Sequence, residues 1–573
     1  MELIDAIEIP RVSGVFLRQG PRPPQMGSLV LMGHHLIFAP QVETPQGAGE
    51  TNKDEFCLLH RAIDRVVCEP KSRDPNVKGG FLTLKCKNFM ICVFEVPDFE
   101  ECTLAARTIE TLSNLNGFSL DYPFFYRAPF TVLDDGWNAF DVETEFSRIS
   151  LCAPDLYRIS EVNKDFKVCT SYPEKVVVPR GIGDDYLRIS ATFRDGSRFP
   201  VLAYFHKPTK SPVIRCSQPL IGPTNRRCKE DETILNAFLR DSRGIIIDTR
   251  GKQQAALSKA KGGGAESQQF YSQWRYFNCA TPRIKDLHDS LAKMVDVCLD
   301  RSVSSDRWMS KIGSAGWLSS VADYLNAAAN VAQCVACEGS SEVPVVVHGG
   351  EGVDSTLFAT ALAQILLDPD ARTIRGFESV IEREWISGGH PFGLRNAHSA
   401  FAEGAITGPY ESPVFLAFLD CVWQMCAQFP HSFEFTENFL LDLFEHSYAS
   451  EFGSFLGNNE MEKFKHNVKK HTVSLWSYVN NPEILKGYVN TLYEPNESVL
   501  WPSVSPQSIQ IWERLFLRWQ RDWSEVNAIR EAAAQWRLKE RQLESKALSL
   551  RRQLIELTRE AHLANGVAAV QLG

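Results

Sequence analysis

The sequence predicts three parts: a small α+β module at the N-terminus, a large α/β domain whose central sheet is flanked by helices, and a C-terminal coiled coil. Three observations predict them. Between residues 1 and 118, short apolar runs separated by polar turns precede one amphipathic stretch. Residues 122–505 form a long mixed region with no low-complexity break. Residues 520–565 hold no proline, are dominated by charge and alanine, and repeat their apolar residues at a 3-4 spacing.

Within the first part, the segment from Gly27 to Phe38 reads as two strands around a glycine-led turn. Residues 40–54 read as a polar loop. Leu82 to Val96 is again strand-like, alternating through Leu82, Leu84 and Cys86 and then Ile91, Val93 and Phe94. Glu100 to Leu115 has helical periodicity through Leu104, Ala105, Ile109 and Leu112. Strands closed by one helix resemble a PH-like domain of the GRAM type. An unrelated small β-domain would carry the same pattern.

The chain has 573 residues, 44% hydrophobic and 23% charged, the balance of a globular protein with ample core material. A net charge of −9 argues against a nucleic-acid binder that works by bulk electrostatics. No run of about 18 apolar residues predicts a membrane-spanning helix. The start, Met1-Glu2-Leu3-Ile4-Asp5, has acids where a signal peptide needs basic and then apolar residues, so the expected compartment is the cytoplasm. The 15 cysteines are scattered and odd in number, which in a reducing compartment reads as buried thiols. One CxxC occurs, Cys334-Val335-Ala336-Cys337, in an alanine-rich helical stretch with no second pair nearby. Structural zinc wants four ligands, so packing is the expected role, and neither metal nor cofactor is expected.

The segment that carries chemistry follows Val345-Val346-Val347, a β-branched run. It is the glycine-rich loop His348-Gly349-Gly350-Glu351-Gly352-Val353-Asp354-Ser355-Thr356, and an apolar helical segment from Leu357 comes next. Strand, glycine loop and helix N-terminus make an anion cradle, because free N–H groups and the helix dipole converge on one spot. The loop resembles the signature of the myotubularin family, Val-His-Cys-Ser-Asp-Gly-Trp-Asp-Arg-Thr. The family's cysteine falls on Gly349, its arginine on Ser355, its tryptophan on Val353, its aspartates on Glu351 and Asp354, and its histidine on His348. Further motifs extend the resemblance over nearly the whole chain: Pro123 to Arg127, Arg215 to Leu220, Arg372 to Phe377, Gly389 to Phe392, Pro413 to Phe415, Phe433 to Phe435 and Phe452 to Leu456. The resemblance implies a cysteine-phosphatase-like fold for residues 122–505.

It also implies a site without chemistry. Cysteine phosphatases attack phosphorus with a thiolate and clamp the transition state with a guanidinium. Gly349 has no side chain and Ser355 no charge, so no catalytic residue is expected. Glu351 and Asp354 leave the loop acidic, with His348 its one candidate cation, and an anionic headgroup would meet repulsion. Asp354 is expected to cap the following helix. A family asparagine after Asp248-Thr249-Arg250 falls on Gln254, a further departure. The one Cys-x5-Arg, Cys152 to Arg158, has no glycine and contains Pro154, so it cannot form the same cradle.

The C-terminal seam runs through Val526, Ile529, Ala533, Trp536, Leu543, Ala547, Leu550, Leu554, Leu557, Ala561 and Ala564, broken only at Glu540. Its alanines make it weak alone, which favours a partner over a homodimer, although a second copy or a fold back onto its own domain would use the same residues. The resemblance implies a regulatory subunit that binds an active myotubularin-related lipid phosphatase through Val526, Ile529, Trp536, Leu543, Leu550, Leu554 and Leu557. It would raise that enzyme's activity or stability, and so influence phosphatidylinositol 3-phosphate and 3,5-bisphosphate turnover on endosomal and autophagic membranes. The alternative is a phosphoinositide-binding adaptor that touches membranes through its PH-like domain.

Overall fold

The computed structural model describes residues 3–41, 55–74, 78–115, 117–240, 242–302, 304–336, 342–401 and 410–570, with residues 534 and 559–570 as backbone only. Most of the predicted polar loop at 40–54, Cys337 of the CxxC, and the side chains of Ala561 and Ala564 lie outside the described residues.

The N-terminal part is one antiparallel sheet of seven strands: β1 (Arg11–Gln19), β2 (Gln25–Leu31), β3 (His35–Pro40), β4 (Phe56–Leu59), β5 (Ile63–Pro70), β6 (Gly80–Cys86) and β7 (Ile91–Val96). Their spatial order is β4-β3-β2-β1-β7-β6-β5. Helix α1 (Phe99–Ser113) closes it, its first turn capped by Asp98, whose carboxylate accepts from the Glu100 and Glu101 amides at 2.8 and 3.2 Å. Seven strands and one helix fit a PH-like domain. In β6 the expected residues Leu82, Leu84 and Cys86 point inward. In β7 the phase differs from the sequence reading, because Cys92, Phe94 and Val96 are buried while Ile91 and Val93 are half-exposed. Register explains this: Leu82 pairs with Phe94 and Leu84 with Cys92, and directly opposed residues share a face.

The large part adds a two-stranded ribbon, β8 (Tyr157–Ser160) with β9 (Val176–Pro179), and a central sheet of β10 (Val201–His206), β11 (Ser211–Cys216), β12 (Gly244–Asp248), β13 (Trp274–Asn278) and β14 (Val345–His348). The central order is β10-β11-β14-β12-β13, parallel except for the β10–β11 hairpin. Parallel strands covered on both faces read as continuous apolar runs. β14 shows why, since Val345 and Val347 enter one core while Val346 enters the other. Helices α3 (Trp317–Ala336), α4 (Ser355–Leu367) and α5 (Val414–Gln428) build the larger of these cores. Cys216, His348 and Asp248 stand in register at the ends of β11, β14 and β12, so three loops converge at one edge. That edge is where open α/β sheets place their ligands.

The packed core runs past residue 505. Trp512 is buried and stacks on Trp423 with ring centroids 5.7 Å apart, and Leu515, Phe516 and Leu517 are buried beside it. The same segment reaches the N-terminal part, where Trp519 Nε1 donates to the Asn88 carbonyl at 2.9 Å. Phe89 is buried between Phe516 and Phe444, with centroids 5.8 and 5.6 Å away. Truncating a ring this buried leaves a cavity that costs about 3–5 kcal/mol. Phe89→Ala should therefore lower the unfolding free energy by about that amount, measured by urea titration. A cost under about 1 kcal/mol would mean that the two parts do not depend on this contact.

Candidate functional site

The loop after β14 is held from beneath by charge. His348 is fully buried, and its Nε2 stands 2.9 Å from Glu266 Oε2. Burial works against a charged imidazole, but the carboxylates of Glu266 and Asp248 outweigh it and raise the His348 pKa above the usual value. Burial likewise opposes the Glu266 carboxylate, and His348 with Arg194 overturns that and holds it well below the ordinary range. Arg194 bonds Glu266 at 2.6 Å and clasps Asp231 through two bonds of 2.9 and 2.6 Å. His348 therefore belongs to the foundation of the loop and is not a cation facing a ligand.

The place of a thiol is filled differently. A Cβ on Gly349 would lie 2.7 Å from Thr249 Oγ1, 3.0 Å from Ser355 Oγ and 3.3 Å from Thr356 Oγ1. Thr249 and Ser355 hydrogen-bond each other through their hydroxyls at 2.7 Å. The Gly350 carbonyl accepts from the Gln218 amide at 3.0 Å, tying the loop to the end of β11. Gly352 has φ +78°, and a Cβ there would sit 2.9 Å from the Cys216 carbonyl, so conformation and space both require glycine. Val353 is buried and its carbonyl faces His390 Nδ1 at 3.0 Å.

Asp354 stands at the N-cap position of α4, yet its side chain makes no cap hydrogen bond, contrary to the sequence expectation. Arg395 takes the carboxylate with two bonds of 3.0 and 2.7 Å, and His390 Nδ1 stands 3.2 Å away. Burial would raise its pKa, but His390 and Arg395 hold it far below the carboxylate range. A charge-assisted bidentate pair outcompetes a cap, which offers neutral N–H groups. Glu351 remains mostly exposed, 4.0 Å from Arg395.

The expected excess of negative charge is thus corrected by residues far away in sequence. Four buried arginines surround the loop, and three of them are paired with carboxylates. Arg395 holds Asp354. Arg194 holds Asp231 and Glu266. Arg250 pairs with Asp248 through bonds of 2.9 and 2.7 Å and donates to the Gly264 carbonyl at 2.8 Å. Arg198 bonds Ser171 Oγ at 2.8 Å and the Gly388 carbonyl at 2.9 Å, with its guanidinium 4.3 Å from the Tyr172 ring centre. None is bonded to Ser355, whose hydroxyl pairs with Thr249. Gln254 lies exposed on the helix Lys252–Ala260. The Cys-x5-Arg segment forms no cradle: Cys152 ends helix α2 (Val142–Cys152), and Arg158 in β8 donates to the Ile182 carbonyl at 2.7 Å and to Asp184. Among the described residues no three His, Cys, Asp or Glu side chains gather as around a metal ion.

Glu266, Arg194 and Arg395 were absent from the sequence reading, and Thr249 and His390 carried no assigned role in it. Arg395 lies 41 residues from Asp354, and no spacing rule links them. The second predicted site is the helix α6 (Ser524–Val570). Val526 is partly exposed, and Ile529, Trp536, Leu543, Leu550, Leu554 and Leu557 are 56–69% exposed, so they do not fold back onto the domain. The helix is seen; a second strand for it is not.

A mostly parallel sheet that sets a glycine loop and a helix N-terminus at its edge fits a phosphatase-like domain. The description "Myotubularin-like phosphatase domain" matches residues 121–464. The chain is 62% identical to a myotubularin-related protein 9 of Caenorhabditis elegans, and 46% identical to that of Homo sapiens; each alignment covers 98% of this chain and 99% of the relative. It is 36% identical to the phosphatidylinositol-3,5-bisphosphate 3-phosphatase MTMR2 of Mus musculus, over 70% of this chain and 62% of that one. The chain belongs to the myotubularin family.

Arg395 offers a test of how the loop is held. Arg395→Met leaves Asp354 with His390 as its one remaining partner, a change that costs up to about 3–5 kcal/mol. Arg395→Met with Asp354→Asn should recover at least half of that loss in urea unfolding, because the stranded charge is gone. Equal losses in the single and double variants would show that packing, not charge pairing, fixes the loop.

Proposed function

We propose that this chain is a catalytically inactive myotubularin, a regulatory subunit that binds an active myotubularin-related phosphoinositide 3-phosphatase through α6 and raises its activity or stability. The observation that carries the reading is the pair of substitutions in the loop. At Gly349 no nucleophile exists, at Ser355 no clamp exists, and the Thr249–Ser355 hydroxyl pair occupies the space between them. Loss of a preorganised charged donor alone removes several kcal/mol of transition-state stabilisation, on the order of a hundredfold or more in rate. The substrate class is taken from the similar mouse protein, a phosphatidylinositol-3,5-bisphosphate 3-phosphatase. The proposed place of action is the cytoplasmic face of endosomal and autophagic membranes, where such lipids would be turned over.

The apolar stripe of α6 supports the partner. At 47 residues the helix extends about 70 Å. Large side chains left in water along one seam mark an interaction surface. Alanines in that seam bury little area, so a partner richer in leucine would make the better coil.

Activity gives the first test. The purified chain should release no phosphate from phosphatidylinositol 3-phosphate or 3,5-bisphosphate above a buffer blank. Gly349→Cys should change nothing, since the new side chain meets two hydroxyls within about 3 Å and Ser355 still brings no charge. Turnover by either protein, surviving removal of co-purifying phosphatases, would overturn the inactive reading.

Partner binding gives the second. Each leucine buried in a coil contributes roughly 1.5–3 kcal/mol. Leu554→Glu forfeits that and adds a desolvation cost, so affinity for an active myotubularin-related phosphatase should fall at least about tenfold. The melting temperature of the isolated chain should not move, because Leu554 is 65% exposed. Unchanged affinity would remove α6 from the interface.

A further inference from the structure

A cleft of about 560 Å³ opens beside the central sheet, and none of the loop residues 348–356 lines it. That volume lies in the range of small-molecule sites. Phe146 and Ile149 of α2 and Phe140 before it form one set of apolar walls; Val176, Leu202 and Val380 form the other. Deeper in the lining are Arg215, Gln364, Arg383 and Glu384.

The polar lining is unbalanced in a specific way. Arg215 is 6% exposed, and its Nε and Nη1 have no hydrogen-bond partner; the nearest carboxylate oxygen, Glu384 Oε2, stands 3.4 Å from Nε. That oxygen already accepts from Thr360 Oγ1 at 3.0 Å. Gln364 is 1% exposed; its Oε1 accepts from Arg383 Nη2 at 3.1 Å, and its Nε2 has no partner. These three atoms are donors, while further along the lining Glu460 Oε1 is a buried acceptor without a partner. Buried donors demand acceptors, and around Arg215 and Gln364 the protein supplies none.

Arg215 and Arg383 both approach Glu384, at 3.4 and 4.0 Å. Glu145 approaches Arg383 to 3.7 Å from the α2 side, but Arg148 shares it at 3.8 Å. Asp368 also lines the cleft and acts on Arg383, and the lining as a whole holds as many acids as bases. Lys463 and Lys469 meet Glu460 at 3.6 and 2.9 Å, and Trp476 donates to Glu382 at 2.6 Å.

We propose that the cleft is a binding site for a single-chain amphiphile with an oxyanion head, a carboxylate or a phosphate monoester. The head oxygens accept from Arg215 and Gln364, and the chain lies along Phe146, Ile149 and Leu202. Such a site is separate from the degenerate loop and from α6, so it stands or falls apart from the regulatory-subunit reading.

The experiment titrates the full-length chain calorimetrically with dodecanoate, dodecyl phosphate and dodecan-1-ol, each below its micellar concentration. At least one of the two anions should bind tenfold or more tightly than the alcohol, and whichever it is identifies the natural head as carboxylate or phosphate. Arg215→Gln should reduce that anion to the affinity of the alcohol. Gln364→Met reads the same head should the arginine variant fail to fold. Ile149→Glu, at a half-buried wall position, should weaken all three ligands. Equal binding of anion and alcohol by the native chain would overturn the proposal. So would a head preference that survives in a folded Arg215→Gln or Gln364→Met variant, and so would absence of binding by all three probes, which would mean that water alone satisfies the donors.

Discussion

Everything at the sheet edge depends on one constraint: a charge buried beneath a loop cannot be left without a partner. The loop from His348 to Thr356 begins and ends on such charges. His348 sits at its entry against Glu266, and Asp354 at its exit against Arg395. Between them the backbone has little freedom, because Gly352 runs close under the Cys216 carbonyl and Gly350 is bonded to Gln218. The strand that feeds the loop is covered on both faces, so its end cannot shift to relieve a mismatch. The loop's shape is thus fixed by these charge pairs and close backbone contacts, with Gly349 between them.

The same constraint explains why the site does not behave as the loop residues alone suggest. Counted by itself, the loop is acidic. Counted with its surroundings, Asp354 is neutralised by Arg395, and Arg250 and Arg194 are cancelled by Asp248, Asp231 and Glu266. Arg198 alone among the four buried arginines has no carboxylate partner, and its Nε, which has no hydrogen-bond partner, lies 3.2 Å from where a Cβ on Gly352 would stand.

The division between what was legible in the sequence and what was not follows contact distance along the chain. Val345 to His348, the glycines after it and the apolar run from Leu357 are local, and strand, loop and helix were readable from period and composition. So were Leu82, Leu84 and Cys86 as an inward face. The phase of β7 was not, because Ile91 and Val93 are as apolar as their neighbours and only the pairing with β6 decides which side is wet. The role of Asp354 was misread for a similar reason. A carboxylate before a helix is a good cap unless a guanidinium reaches it, and Arg395 arrives through a fold contact 41 residues away. The cleft lined by Arg215 and Gln364 exists only once α2, β10 and the Arg383 segment are brought together, so no window of sequence contains it.

The segment between residues 505 and 524 joins these observations to the C-terminal helix. It is no linker. Trp512 stacks on Trp423, Phe516 meets Trp317 at 5.9 Å and Phe89 at 5.8 Å, and Trp519 is bonded to Asn88. Residues from both parts of the molecule therefore fix the direction in which α6 departs. Glu437 then pins the first turns, pairing with Arg514 at 3.6 Å and with Arg530, while Trp423 Nε1 donates to it at 3.2 Å. Beyond that, Arg541 still reaches the Tyr493 carbonyl at 3.3 Å. A helix anchored at its root and exposed along its seam holds whatever binds it at a set angle to the sheet edge and the PH-like module, instead of tethering it loosely. Loose tethering raises only effective concentration; a fixed angle also selects which surface of a bound protein would face the phosphatase-like domain.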